Sequence, residues 1–130
     1  GGAKAGFPII ADDDLKVAKA FDMLPAEAYL PDGRTPNDSA TVRAVFIIGP
    51  DKKLKLSTSG PMTVGRNFAE VLRALDGLQM SSGKGVATPA NWNVGDDVII
   101  PATLSDDDAK AKFGDFNKIL PYLRTTKAPK

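Results

Sequence analysis

The chain has 130 residues, 42% of them apolar and 25% charged, with a formal net charge of +1. These are ordinary globular proportions, enough for one domain with a core and a small appendage, and they offer no basic excess to neutralise nucleic-acid phosphates. Cysteine and histidine are both absent, which excludes from these residues a disulfide framework, a thiolate nucleophile, a Cys/His zinc site and an imidazole base for a serine hydrolase. No apolar run reaches the roughly 18 residues that a spanning helix needs. The start, Gly1-Gly2-Ala3-Lys4-Ala5-Gly6, lacks the apolar middle of a signal peptide and reads as an added or cut end.

Taken in order, Phe7-Pro8-Ile9-Ile10-Ala11 predicts a short strand. Asp12 or Asp13 offers an N-cap, and Leu15, Ala18, Phe21 and Leu24 recur at helical spacing, so a helix is expected over about 13–24, stopped by Pro25. Residues 25–40 carry turn chemistry and read as a loop. Thr41-Val42-Arg43-Ala44-Val45-Phe46-Ile47-Ile48-Gly49-Pro50 does not alternate cleanly, which predicts a strand buried on both faces. Arg43 is out of place in it: a guanidinium there has to be paired or face a polar pocket at the strand end. After a turn at 49–52, Lys53-Leu54-Lys55-Leu56-Ser57 alternates with period two, giving a hairpin whose second strand buries Leu54 and Leu56 and turns its lysines outward.

A helix is expected over about 64–79, capped by Thr63, with Phe68, Val71, Leu72, Leu75 and Leu78 as one apolar stripe and Arg66 paired with Glu70. Arg66 in a first turn opposes the helix dipole, so its presence asks for another explanation. Ser81-Ser82-Gly83-Lys84-Gly85 reads as a linker, and a boundary is placed there, between 1–81 and 82–130. In the tail, Trp92 is a packing anchor and Val98-Ile99-Ile100 an apolar run. Ser105 with Asp108 starts a helix over about 106–113, and Gly114 ends it. Ile119 to Arg124 is extended. The consecutive Asp106, Asp107 and Asp108 read as capping groups rather than a metal site.

The β-α-β-β-α order of 1–81 is the closing part of a thioredoxin-like fold, followed by a small α+β module in 82–130; the fold class is α/β. Phe7-Pro8-Ile9-Ile10-Ala11-Asp12, the run from Thr41 to Lys53, Gly65-Arg66-Asn67-Phe68 with Glu70, Val86-Ala87-Thr88-Pro89-Ala90-Asn91-Trp92 with Gly95-Asp96-Asp97-Val98-Ile99-Ile100, and Pro121-Tyr122-Leu123-Arg124 together resemble the one-cysteine peroxiredoxins of the peroxiredoxin-6 type. The resemblance covers nearly all of 7–125, with 28–38 the main departure. It implies a thiol-dependent peroxidase acting on hydrogen peroxide or organic hydroperoxides, with a cysteine, borne on a preceding segment of about 80–90 residues, that an external thiol recycles.

By that resemblance, Arg43 is the arginine that stabilises the thiolate and the peroxide, and Arg66 is a second arginine near the same pocket. Asp51 aligns with an aspartate of the phospholipase activity credited to some members, but its partners are missing here and it reads as a turn residue. The family dimerises through the strand that Lys53, Leu54, Lys55, Leu56 and Ser57 match, and a homodimer is expected. No cofactor, metal, nucleic acid or membrane span is implied, and the location is expected to be cytoplasmic. The rival expectation is a non-catalytic interaction module that acts through its edge strand and tail.

Overall fold

A computed structural model describes residues 2, 4–24 and 40–130. They form two compact units, Gly1–Arg66 and Asn67–Lys130. The expected loop over 25–40 lies almost wholly outside the described residues.

In the first unit, Phe7, Ile9 and Ile10 are exposed, and no strand forms over 7–11. An extended segment becomes a strand only with a ladder partner, and the described residues supply none. The helix expected over 13–24 is much shorter: α1 spans Lys16–Ala20. Non-glycine residues in the left-handed region bound it, Leu15 at φ 57 and Asp22 at φ 51. Asp12 still serves the helix start, from outside it, accepting from the Val17 and Ala18 N–H groups at 2.8 Å each. At the other end the Asp22 N–H reaches Lys19 O and the Met23 N–H reaches Ala18 O, closing a Schellman motif without a glycine. Ala18 and Leu24 are buried together, with Leu15 and Met23 against them.

Strand β1 is Val45–Ile48 and β2 is Leu54–Thr58, paired antiparallel as a two-stranded sheet. The hairpin is present as expected, and its turn closes with Gly49 N–H to Lys53 O and Lys52 N–H to Gly49 O. Burial on both faces is not found: β1 is half-buried at best, and Ile48 is 53% exposed. The expectation that Leu54 and Leu56 share a buried face fails because of one bulge. Ile47 pairs with Leu56 but Ile48 pairs with Leu54, so Lys55 is the extra residue. Ile47 and Ile48 point to opposite faces, and cross-strand partners share a face. Leu56 therefore lies with Ile47, half-buried, while Leu54, 56% exposed, lies with Ile48 on the other face.

In the second unit, α2 is Phe68–Lys84. Its N-cap is Asn67, not Thr63; the Asn67 side chain accepts from the Glu70 N–H. The expected linker at 81–85 is mostly the last turn of this helix. Ser81 and Ser82 donate their hydroxyls back to Gly77 O and Leu78 O, and Gly85, at φ 66, ends the helix. Residue 82 thus lies within α2.

Beyond α2, β3 (Val98–Ile100), α3 (Asp106–Phe113), β4 (Asn117–Leu120) and β5 (Leu123–Thr126) complete the unit. The sheet is antiparallel in the order β3-β5-β4, so the extended segment over 119–124 is a hairpin. Helix α3 has the expected ends: Ser105 Oγ accepts from the Asp108 N–H and donates to its carboxylate, and Gly114 follows the last turn. The core is Val86, Trp92 and Val98, with Met80, Phe113 and Ala128 against it. Trp92, 2% exposed, donates Nε1–H to Asp96 O at 3.1 Å, so it is the packing anchor that the sequence suggests.

Candidate functional site

The site is the segment leading into β1 together with the turn that lies over it. Arg43 is two residues ahead of β1 rather than inside it, and it is exposed. Its backbone N–H donates to Gly60 O at 2.9 Å, and its Nε–H donates to Met62 O at 3.0 Å. The chain turns at 61–64, where the Val64 N–H meets Pro61 O, and Arg66 then reaches back to donate Nε–H to Ala44 O at 3.1 Å. Each arginine thus holds the other's strand by a carbonyl. The two residues singled out in the sequence are brought together across one clasp of adjacent segments.

The clasp uses the Nε–H of each fork. Among the described residues the Nη groups of Arg43 and Arg66 make no hydrogen bond, and neither guanidinium is in an ion pair. A guanidinium anchored at Nε presents its remaining N–H groups in a fixed plane, suited to anionic or peroxidic oxygens. The expected pairing of Arg66 with Glu70 is not found. Arg66 precedes the N-cap of α2, and Glu70 instead takes a bidentate pair from Arg73, at 2.6 and 2.7 Å. That pair holds the Glu70 carboxyl below its ordinary value, chiefly through the Arg73 hydrogen bonds.

Of the expected interface residues, Lys53 lies in the turn and Leu54, Lys55, Leu56 and Ser57 lie in β2. Lys55 is folded back onto Asp51, Nζ to Oδ2 at 2.7 Å, which lowers the Asp51 pKa. Asp51 also accepts from the Lys53 N–H, as a turn residue does. The outer edge of β2 has no strand beside it among the described residues. No group of metal-ligating side chains occurs among the described residues.

One charged group escaped the sequence reading. Arg124, on β5, is 3% exposed. It donates to Asp106 at 2.7 Å and to Pro101 O and Leu104 O at 2.8 and 2.7 Å, while its Nε has no partner. Asp106 also takes Lys118 at 2.6 Å, and the two cations, Lys118 first, hold its pKa down. This cluster ties α3 to the sheet. A three-dimensional pairing of residues 18 apart leaves no local signature in the sequence.

The chain is similar to known proteins over nearly its whole length. A family model described as the C-terminal domain of 1-Cys peroxiredoxin matches residues 77–115. A mitochondrial peroxiredoxin of Saccharomyces cerevisiae is 53% identical over 125 residues, which are 95% of this chain and 46% of that protein. Over nearly all of its length the chain is similar to the C-terminal part of the one-cysteine peroxiredoxins. Peroxiredoxin-6 of Gallus gallus is 48% identical, over 97% of this chain and 57% of that one. A solved structure of the yeast mitochondrial 1-Cys peroxiredoxin, described with glutathione and thioredoxin systems resolving its thiol, superposes with a TM-score of 0.83 at 52% identity, covering 94% of this chain and 56% of that one. A cysteine-to-serine mutant of the peroxiredoxin 6 of Arenicola marina gives 0.83 at 45% identity, covering 99% and 60%. The chain spans about half the length of the curated relatives it matches. The mixed α/β architecture with small sheets agrees with the expected fold class. Among the described residues no helix is long and apolar enough to cross a membrane.

Proposed function

We propose that these residues are the supporting part of a thiol-dependent peroxidase that reduces hydrogen peroxide or organic hydroperoxides. The observation that carries this reading is the arginine clasp at the head of β1, with the Arg43 fork anchored at Nε and its Nη groups free of partners among the described residues. The nucleophile is a cysteine thiolate from outside these 130 residues, because none of them is a cysteine. Arg43 lowers the pKa of that thiolate and hydrogen-bonds the peroxide oxygens; Arg66 fixes the Arg43 segment and is the weaker contributor. An external thiol then reduces the sulfenic acid. A cytoplasmic location accompanies this reading, and the mitochondrial name of the yeast relative makes an organelle the rival.

These residues by themselves consume no hydroperoxide, whereas the chain joined to a cysteine-bearing segment of the family does. In the joined protein, Arg43→Met slows peroxide reduction by more than about tenfold, equal to about 1.4 kcal/mol, and raises the thiol pKa. An unchanged rate constant removes Arg43 from the mechanism.

The homodimer is part of the same reading, with the β2 edges pairing antiparallel across a two-fold axis. Leu56→Pro removes a ladder donor and leaves monomers in sedimentation, with the Val45–Thr58 pairing checked by NMR contacts; a persisting dimer puts the interface elsewhere. A second reading, a non-catalytic interaction module, is favoured by the same exposed β2 edge and by the absence of cysteine. It holds if the joined protein has no peroxidase activity but a partner adds to that edge.

A further inference from the structure

The sequence contains three methionines, and they are in unlike settings. Met23 is half-buried against Ala18 and Leu24, and Met80 is half-buried against Val86, Trp92 and Val98. Met62 is 45% exposed and belongs to neither core. It is also the residue whose carbonyl accepts the Arg43 Nε–H. An open thioether is therefore carried by the residue that anchors the peroxide-directed guanidinium. Thioethers in such settings are soft, accessible nucleophiles towards peroxides.

We infer that Met62 is an oxidation site for the hydroperoxide that Arg43 attracts, and that its sulfoxide acts as a brake on the arginine. This rests on the reading of Arg43 given under the proposed function. In the step, the Met62 Sδ lone pair attacks the terminal peroxide oxygen. The O–O bond breaks and an S–O bond forms. The proton of that oxygen passes to the departing hydroxide or alkoxide, which leaves as water or alcohol. Sulfur is oxidised by two electrons and the peroxide is reduced by two, so no other reactant is required. The Nη donors of Arg43 stabilise the charge that develops on the departing oxygen. Afterwards the sulfoxide oxygen, a strong acceptor, competes for the same donors that the peroxide needs. Methionine sulfoxide reductase reverses the change.

The test uses the 130-residue chain, which has no cysteine to compete for oxidant, with limiting hydrogen peroxide and peptide mass spectrometry of all three methionines. Met62 gains oxygen at least about fivefold faster than Met23 and Met80, and Arg43→Leu slows Met62 at least about threefold. Met23 and Met80 report folding in each variant, because both become fast if a core opens. Should Arg43→Leu open a core, Arg43→Lys decides, since a lysine keeps the charge but loses the fixed fork and slows Met62 as well. If Met62 reacts no faster than the other two, or at the parent rate in a folded Arg43 variant, the inference is overturned. In the joined protein, chain pre-oxidised at Met62 shows a several-fold lower peroxidase rate that the reductase restores; an unaltered rate overturns the brake. A joined protein with no peroxidase activity, yet with Arg43-dependent oxidation of Met62, fails the proposed function and leaves the oxidation site standing.

Discussion

The two compact units differ in how large a core they enclose. The Asn67–Lys130 unit buries Trp92, Val98 and Ile100 almost completely and satisfies most of a buried Arg124 with a carboxylate and two carbonyls. Among the described residues, the Gly1–Arg66 unit has only Ala18 and Leu24 buried, leaves Phe7, Ile9, Ile10, Ile48 and Leu54 exposed, and has a two-stranded sheet with open edges. Helix α2 repeats the contrast within one element. Gly77 is its buried residue, lying against Thr88 and Trp92, while Phe68, about half a turn around the axis, is 70% exposed. The Asn67–Lys130 unit encloses a core of its own and still leaves Phe68, Leu72, Val94 and Tyr122 exposed. Exposed apolar strand residues in the first unit and the Phe68–Leu72 face of α2 in the second are the kind of surface that partners cover. The candidate site lies in the Gly1–Arg66 unit.

The sharpest way to break this comparison is to truncate one aromatic residue from each class. Trp92→Ala removes the largest side chain of the Asn67–Lys130 core together with its hydrogen bond to Asp96 O. It costs that unit about 3–5 kcal/mol, read as lost hydrogen-exchange protection at Val86, Val98 and Ile100. Phe68→Ala removes an aromatic ring that is mostly in water, and costs under about 0.5 kcal/mol in this chain. If the two costs are equal, the Phe68 face is covered and the contrast between the faces of α2 disappears.

The same contrast explains what the sequence makes legible. Helix α3 was readable to the residue because its signals are local: Ser105 with Asp108 at one end and Gly114 at the other. The β1–β2 hairpin was readable from its turn. The bulge at Lys55 was not, because the sequence alternates cleanly there and only the pairing shows the extra residue. Helix α1 was overestimated because Leu15 and Asp22 adopt left-handed backbone, which leucine rarely takes and aspartate, though enriched there, takes only in a minority of cases. The apolar stripe on α2 was seen, but the opposite face, defined by a glycine at close approach, was not. A strand over 7–11 was expected because periodicity registers the tendency to pair and not the presence of a partner. Arg43 and Arg66 were singled out in the sequence, and their clasp follows from a turn at 61–64, where a helix start capped by Thr63 was expected instead.

A pH titration sharpens the account of the Asn67–Lys130 unit. Lys118 and then Arg124 depress the Asp106 pKa from its ordinary 3.8. The unfolded chain therefore takes up the proton at a higher pH than the folded one. The stabilisation by this carboxylate is complete above the ordinary value and disappears as the pH falls through the depressed one. Asp106→Asn should thus lower the thermal midpoint at neutral pH by a few degrees, and parent and variant should converge at strongly acidic pH. A gap that stays constant across the titration assigns the effect to packing or to the N-terminal turn of α3 rather than to charge.

The smallest effect has the opposite sign. Gly77 is the buried residue of α2, and glycine inside a helix is less favourable than alanine by about 0.5–1 kcal/mol. Its burial suggests that the close approach of Trp92 requires it. The distances argue otherwise. A Cβ built there meets Thr88 Oγ1 at 3.5 Å, Thr88 Cγ2 at 3.8 Å and Trp92 Cε3 at 4.0 Å, all ordinary van der Waals contacts. The methyl group fills space without displacing backbone, and Gly77 is not among the glycines with positive φ. Gly77→Ala should therefore stabilise the Asn67–Lys130 unit by about 0.5–1 kcal/mol, seen as slower exchange at Val98 and Ile100 with no change in the Trp92 environment. A loss of stability instead, with a shifted Trp92 fluorescence maximum, means that the helix and the indole are already in contact at their limit and that this core has no room for one methyl group.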